Sequence, residues 1–126
     1  MRLFDTHCHL NDPQAFPEPE AAAQAAFEAG VERLCVVGIG PEWNQTAIRL
    51  ASKLNYVSAV VGWHPTTPGE YSDVEHAELA DMLVQPGVVA LGEIGLDYHW
   101  DTTSKQEQHS RLEKQLDLAR ERNMPV

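Results

Sequence analysis

The sequence predicts an α/β fold of parallel (β/α) units, and two observations carry that prediction. Short apolar runs suited to strands alternate along the chain with amphipathic helical segments, the pattern of a parallel βα architecture. The runs are also mostly continuous in their apolar residues, as strands buried on both faces require. At 126 residues the chain has the size of one domain or of part of one. A (β/α)8 barrel typically takes ~250 residues, so the length and strand count fit either an open doubly wound sheet or half of a barrel.

The first unit is the strand "RLFD", a loop with Pro13, Pro17 and Pro19, and the Ala-rich helix "EAAAQAAFEAG", which Gly30 stops. The second is "VERLCVVG" followed by "GPEWNQTAIRLASKLN", where Pro41 suits the first helical turn. Trp43, Ala47, Ile48, Ala51 and Leu54 recur there at helical spacing, which turns one face of the helix inward. The third unit is "YVSAVVG" and "SDVEHAELADMLVQ", with Ser72 and Glu75 at capping-box spacing. The fourth is "VVALGEIG" and "SKQEQHSRLEKQLDLARERN", with a second box expected from Ser104 to Glu107 and Leu112, Leu116 and Ala119 in register. "MPV" reads as the start of a fifth strand. Such a sheet has open edges, and these invite self-association.

Composition narrows the partners. The 43% hydrophobic and 22% charged content is that of a packed globular protein. Nineteen acids against nine bases give a net charge of -10, which repels nucleic acid and anionic membranes. A broad basic groove is excluded, and a phosphodiester substrate would need metal ions for much of its attraction. No apolar run approaches the ~18 residues of a membrane span, and the N-terminus lacks the features of a secretory signal. No membrane partner and a cytoplasmic location are therefore expected. Cys8 and Cys35 lie on strands with no disulfide spacing and are expected to be buried, reduced thiols.

The chemistry gathers at strand ends. In "DTHCHL", Asp5, His7 and His9 stand at alternate positions, so a regular strand would present all three on one side. Neutral imidazoles held this way can take a divalent cation, though the same pair also suits exposed or hydrogen-bonded histidines. Glu93 in "GEIGLDY" is an acid within an apolar run, costly to bury unless it meets a metal or a basic side chain. Gly92 and Gly95 would let a ligand come close to the backbone there, and Asp97 follows on the loop. His64 in "GWHP" is a candidate ligand, phosphate donor or general acid, or else an exposed turn histidine. His76 and His109 fall on helices as surface residues, and His99 lies in the loop after the fourth strand. Polar residues ending strands one, three and four thus converge on the face where α/β enzymes keep their active sites. "GIGP" is a turn whose amides could touch an anion, without the full dinucleotide fingerprint.

Taken in order, "FDTHCHL", "GWHP", "GEIGLDYHW" and "QEQHSRLEKQLDLARERNMPV" resemble the TatD family of metal-dependent deoxyribonucleases, from Arg2 to Val126. The resemblance implies that residues 1–126 are the N-terminal half of a TIM-type (β/α)8 barrel, an incomplete domain. It implies hydrolysis of phosphodiester bonds in DNA, as an exonuclease on single strands or ends, with two divalent ions (Mg2+, Mn2+ or Zn2+) in the complete site. By the same resemblance His7 and His9 are first-strand metal ligands and Glu93 is the carboxylate shared by both metals. His64 lies near the substrate phosphate, and Asp97 is the acid of the "GLDY" segment. Thr66 and Thr67 stand where the family often carries another histidine or acid. Because the family's remaining ligands lie on later strands, the 126 residues are expected to be poorly active alone. Two other classes stay open from the sequence. One is a non-enzymatic α/β metal-binding module, although a receiver-like domain would want an aspartate where "GWHP" stands. The other is a related barrel amidohydrolase or esterase, since His-x-His on the first strand is common to that wider group.

Overall fold

The computed structural model describes residues 2–126. Its elements run β1 (Leu3–Cys8), α1 (Pro19–Glu28), β2 (Val31–Val37), α2 (Pro41–Lys53), β3 (Val57–Val61), α3 (Asp73–Met82), β4 (Val88–Leu91) and α4 (Lys105–Glu121). The strands form one sheet in the order β1-β2-β3-β4, and every neighbouring pair is parallel. Sequential order rules out the doubly wound alternative, in which the strand order reverses at a switch point. Right-handed crossovers that each advance one strand put all helices on the same face. Leu34, Val36, Val57, Ala59, Val61 and Leu91 present that face to the helices. Ala47 and Leu50 of α2, Leu79 of α3 and Leu118 of α4 close over it. The result is one wall with the C-terminal ends of all four strands on a single rim.

Local chemistry sets the boundaries. Pro19 opens α1 as its first residue, not as part of the preceding loop, because its fixed φ suits the first turn and its missing N–H is not needed there. Gly30 takes φ 101°, a left-handed conformation that ends the segment and turns the chain into β2. The box before α3 is complete: Ser72 Oγ accepts from the Val74 and Glu75 amides, and the Glu75 carboxylate accepts the Ser72 N–H. The box expected before α4 is only half formed. Ser104 Oγ accepts the Glu107 N–H at 3.2 Å, while the Glu107 carboxylate turns to the Arg111 guanidinium at 2.9 Å. A charge-assisted bond outcompetes the neutral amide for that carboxylate.

The buried stripe of α4 also differs from the apolar register. Gln108, Arg111, Gln115, Leu118 and Ala119 are buried, whereas Leu116 is 43% exposed. The inward face is polar because it meets loop backbone that needs partners, as described below. Leu112 and Leu116, with Cys35, Val60 and Val126, instead line a cavity of about 600 Å³ that reaches His7 and Glu93. Residues 124–126 form no strand, yet the Leu91 N–H donates to the Pro125 carbonyl at 2.9 Å, the contact a following strand would make. Among the described residues, no helix is long and apolar enough to cross a membrane.

Gly62 and Gly92 end β3 and β4 in close contact. A Cβ on Gly62 would lie 2.6 Å from the Gly92 carbonyl carbon, and backbone cannot yield as a side chain can. The close approach of the two strand ends therefore requires glycine at position 62. Gly62→Ala is expected to cost ~1–3 kcal/mol by overpacking, seen as a lower urea midpoint at unchanged slope. An unaltered midpoint would show that the two strand ends can part freely.

Candidate metal centre

The first histidine pair sits on an irregular strand. The register of β1 against β2 slips between Leu3 and Phe4 and again between Asp5 and Cys8. Simple alternation therefore fails, and Asp5 does not join the histidines; its Oδ1 accepts the His7 N–H at 3.1 Å. His7 and His9 nevertheless converge, with their Nε2 atoms 3.3 Å apart. Glu93, two residues beyond β4, brings its Oε2 to 3.3 Å from His7 Nε2 and 3.6 Å from His9 Nε2. Its backbone N–H donates to the Gly38 carbonyl at 2.8 Å, which ties the end of the fourth strand to the end of the second. The "GIGP" turn is spent on such stitching. Gly38 N–H goes to the Val60 carbonyl, and the Ile39 carbonyl accepts the His64 N–H.

The triangle of ligand atoms fits a divalent cation. A tetrahedral ion with bonds of ~2.0–2.2 Å separates its ligand atoms by ~3.3–3.6 Å, which are the edges found between His7, His9 and Glu93. The tautomer of His9 also suits. Its Nδ1 lies 2.9 Å from the Val37 carbonyl, which can only accept, so Nδ1 carries the proton and Nε2 keeps its lone pair for a metal. Trp43 packs edge-on against the His9 ring with centroids 5.6 Å apart, fixing its orientation from α2. Nitrogen and carboxylate donors of this kind suit zinc and other transition ions.

His64 meets the other carboxylate oxygen. Its Nε2 is 3.6 Å from Glu93 Oε1. The Thr66 N–H points at His64 Nδ1 from 3.2 Å, so Nδ1 accepts and Nε2 carries the proton. In this tautomer His64 is a donor facing the site and not a ligand. Thr66 Oγ1 adds a contact of 2.8 Å to the same nitrogen, and the Thr67 hydroxyl donates to the Ile39 carbonyl at 2.5 Å. The two threonines thus shape the turn that presents His64.

Asp97 stands apart from the three ligands. Its backbone N–H and carbonyl are both held by the Gln108 side chain at 2.9 Å, and its Oδ1 accepts the His99 N–H at 2.9 Å. Cys8, between the two histidines, faces the helix side, where its Sγ donates to the Cys35 carbonyl at 3.4 Å. Burial, helped by the nearby Asp5, pushes that thiol up to about 11. Both cysteines are free and half-buried, less enclosed than their sequence setting suggests. His76 is half-buried against the Tyr71 hydroxyl at 3.1 Å, and His109 meets the Tyr98 hydroxyl at 2.8 Å.

The residues that hold the rim together escaped the reading of the sequence. Arg111, 2% exposed, donates to the carbonyls of His64, Thr67 and Gly69 at 2.9, 3.0 and 3.1 Å. Its guanidinium also lies over the Trp63 ring. Gln115 closes a two-way pair with the Trp63 backbone at 2.8 and 3.0 Å, and Asn44 does the same for Gly62 at 3.2 and 3.0 Å. The signal was present on α4: Gln108, Arg111 and Gln115 recur at helical spacing, a polar stripe beside the apolar register of Leu112 and Leu116.

A comparison of the sequence with protein families matches residues 4–126 to the TatD-related DNases. The chain belongs to the TatD family. Among curated TatD-like relatives, the uncharacterized metal-dependent hydrolase YabD of Bacillus subtilis is 36% identical over 98% of this chain and 49% of its own length. The 3'-5' ssDNA/RNA exonuclease TatD of Escherichia coli is 30% identical over 98% of this chain and 48% of its own. The crystal structure of the TatD homolog YjjV from Escherichia coli superposes with a TM-score of 0.88 at 35% identity, covering 99% of this chain and 49% of that one. The chain thus spans about half the length of the curated relatives it matches, their N-terminal half, and its four βα units are those of a TatD TIM-type barrel.

Proposed function

We propose that this chain carries the N-terminal part of a TatD-type centre that hydrolyses phosphodiester bonds in single-stranded DNA or at DNA ends. The observation that carries the reading is the His7–His9–Glu93 triangle, with the protonated Nε2 of His64 on the far oxygen of the same carboxylate. His7, His9 and Glu93 would hold a divalent ion, and a complete site would take two such ions, Mg2+, Mn2+ or Zn2+, with the Glu93 carboxylate available to both. When bound, the metal supplies Lewis acidity to the phosphoryl oxygen and a nucleophilic water at neutral pH. The side chains supply the rest. His9 is locked in its ligating tautomer by Val37, and His64 offers an N–H to a phosphate oxygen or to the departing alkoxide. Asp97 orders the loop that borders the site. A chain of net charge -10 grips little backbone, which favours strand ends and single strands over long duplex. The exonuclease name of the E. coli TatD relative supports the same substrate class.

The test is hydrolysis of a 5'-labelled single-stranded oligonucleotide by the purified chain with each metal in turn. Turnover is expected to be slow, because three ligands on a half-exposed rim hold metal weakly. It is expected to vanish with chelator and in His7→Ala. Cleavage that survives both would refute the reading.

A further inference from the structure

The loop between β4 and α4 carries exposed aromatic surface that the metal centre does not use. Leu96, Tyr98 and Trp100 are 41%, 49% and 59% exposed. These rings are held in place. The Tyr98 hydroxyl bonds His109 at 2.8 Å, and Lys105 Nζ sits 4.8 Å above the Tyr98 ring. His99 packs edge-on against Trp100 with centroids 4.6 Å apart, and its backbone is fixed by the Asp97 carboxylate. The loop is also tied to the rim at both ends. It leaves from Glu93, and at its far end the Thr102 and Thr103 hydroxyls donate to the carbonyls of Thr66 and Pro65, immediately after His64. The aromatic tip is therefore suspended between two groups of the candidate centre.

Fixed, solvent-facing rings beside a phosphodiester site offer what unpaired bases bind: a π face that any base can stack on. Charge makes such a surface necessary. Between Ile94 and Lys105 one lysine is outnumbered by Asp97 and Asp101, and the chain as a whole is strongly acidic, so phosphate attraction from side chains is poor. We propose that Trp100, braced by His99, and the neighbouring Tyr98 form a base-stacking platform that feeds single-stranded nucleic acid to the metal centre. This deepens the phosphodiesterase reading and rests on it.

The probes are a fluorescein-labelled, phosphorothioate-linked thymidine octamer and an abasic octamer of the same backbone, each titrated with the chain in Mg2+. The thymidine strand is expected to quench tryptophan emission and to bind ~10-fold tighter than the abasic strand, within the range of base–aromatic stacking. Trp100→Ala is expected to abolish most of the quenching and weaken the thymidine strand ~10-fold, with Trp100→Phe recovering part of the loss and the abasic strand unaffected. Tyr98→Ala should give a smaller loss in the same direction. Equal affinity for the two strands, or full affinity in both alanine variants, would overturn the platform and leave the phosphodiesterase reading intact. No binding of either strand would overturn both.

Discussion

Glu93→Gln is expected to weaken Zn2+ binding by ~100-fold or more. Outer partners of metal ligands already cost ~10–100-fold when removed, and Glu93 would be a direct ligand. The amide keeps the size of the side chain but loses its charge, the only negative charge in the His7–His9–Glu93 group. Loss of the charge also weakens the acceptor that faces the His64 N–H across 3.6 Å, because an amide oxygen carries only a partial charge. Glu93 is half-exposed, so the variant should fold, and an unchanged far-ultraviolet spectrum would establish that it has. Isothermal titration with Zn2+ reads the effect, and wild-type affinity in the variant would place any bound metal elsewhere.

Arg111→Met is expected to destabilise the chain by at least ~3 kcal/mol. The guanidinium serves three loop carbonyls and the Glu107 carboxylate from a buried position. Each group stripped of its partner costs ~1–3 kcal/mol, and the losses overlap because the groups share one donor. Against a total stability of ~5–15 kcal/mol for a domain, that is a large fraction. Burial pulls the guanidinium below its ordinary value and Glu107 partly offsets the pull, so the cation persists at neutral pH. Arg111→Lys should recover little, because an ammonium cannot reproduce the planar fork. Urea unfolding checks the magnitude, and amide hydrogen exchange should show the loss first between His64 and Gly69. A variant as stable as the wild type would mean that the His64 loop holds its shape without α4.

What could be read from the residues, and what could not, divides along physical lines. Strand and helix segments were legible because apolar periodicity and turn residues act locally, as in Gly30, Pro41 and the Ser72–Glu75 box. The choice of a barrel wall over a doubly wound sheet came from the motifs that resemble the TatD family and not from the elements, since strand order depends on contacts between segments far apart in sequence. His7, His9 and Glu93 stood out because polar groups ending apolar runs are costly without a purpose. The exclusion of Asp5 was hidden, because the slip of β1 against β2 breaks the alternation on which its placement relied. Arg111 and Gln115 were hidden for a related reason. Their partners are backbone carbonyls and amides of the loop after β3, which no side-chain pattern announces. Likewise the tautomers of His9 and His64 depend on Val37 and Thr66, one from a distant strand and one from a residue whose type suggested a missing contact.

The proposed chemistry depends on a divalent metal bound between His7, His9 and Glu93. Anomalous diffraction at the zinc edge, from crystals of this chain soaked in Zn2+, tests it most directly. The expected result is a peak ~2.0–2.2 Å from His7 Nε2, His9 Nε2 and a Glu93 carboxylate oxygen. A peak at other side chains, or none among these three at saturating Zn2+, would contradict it.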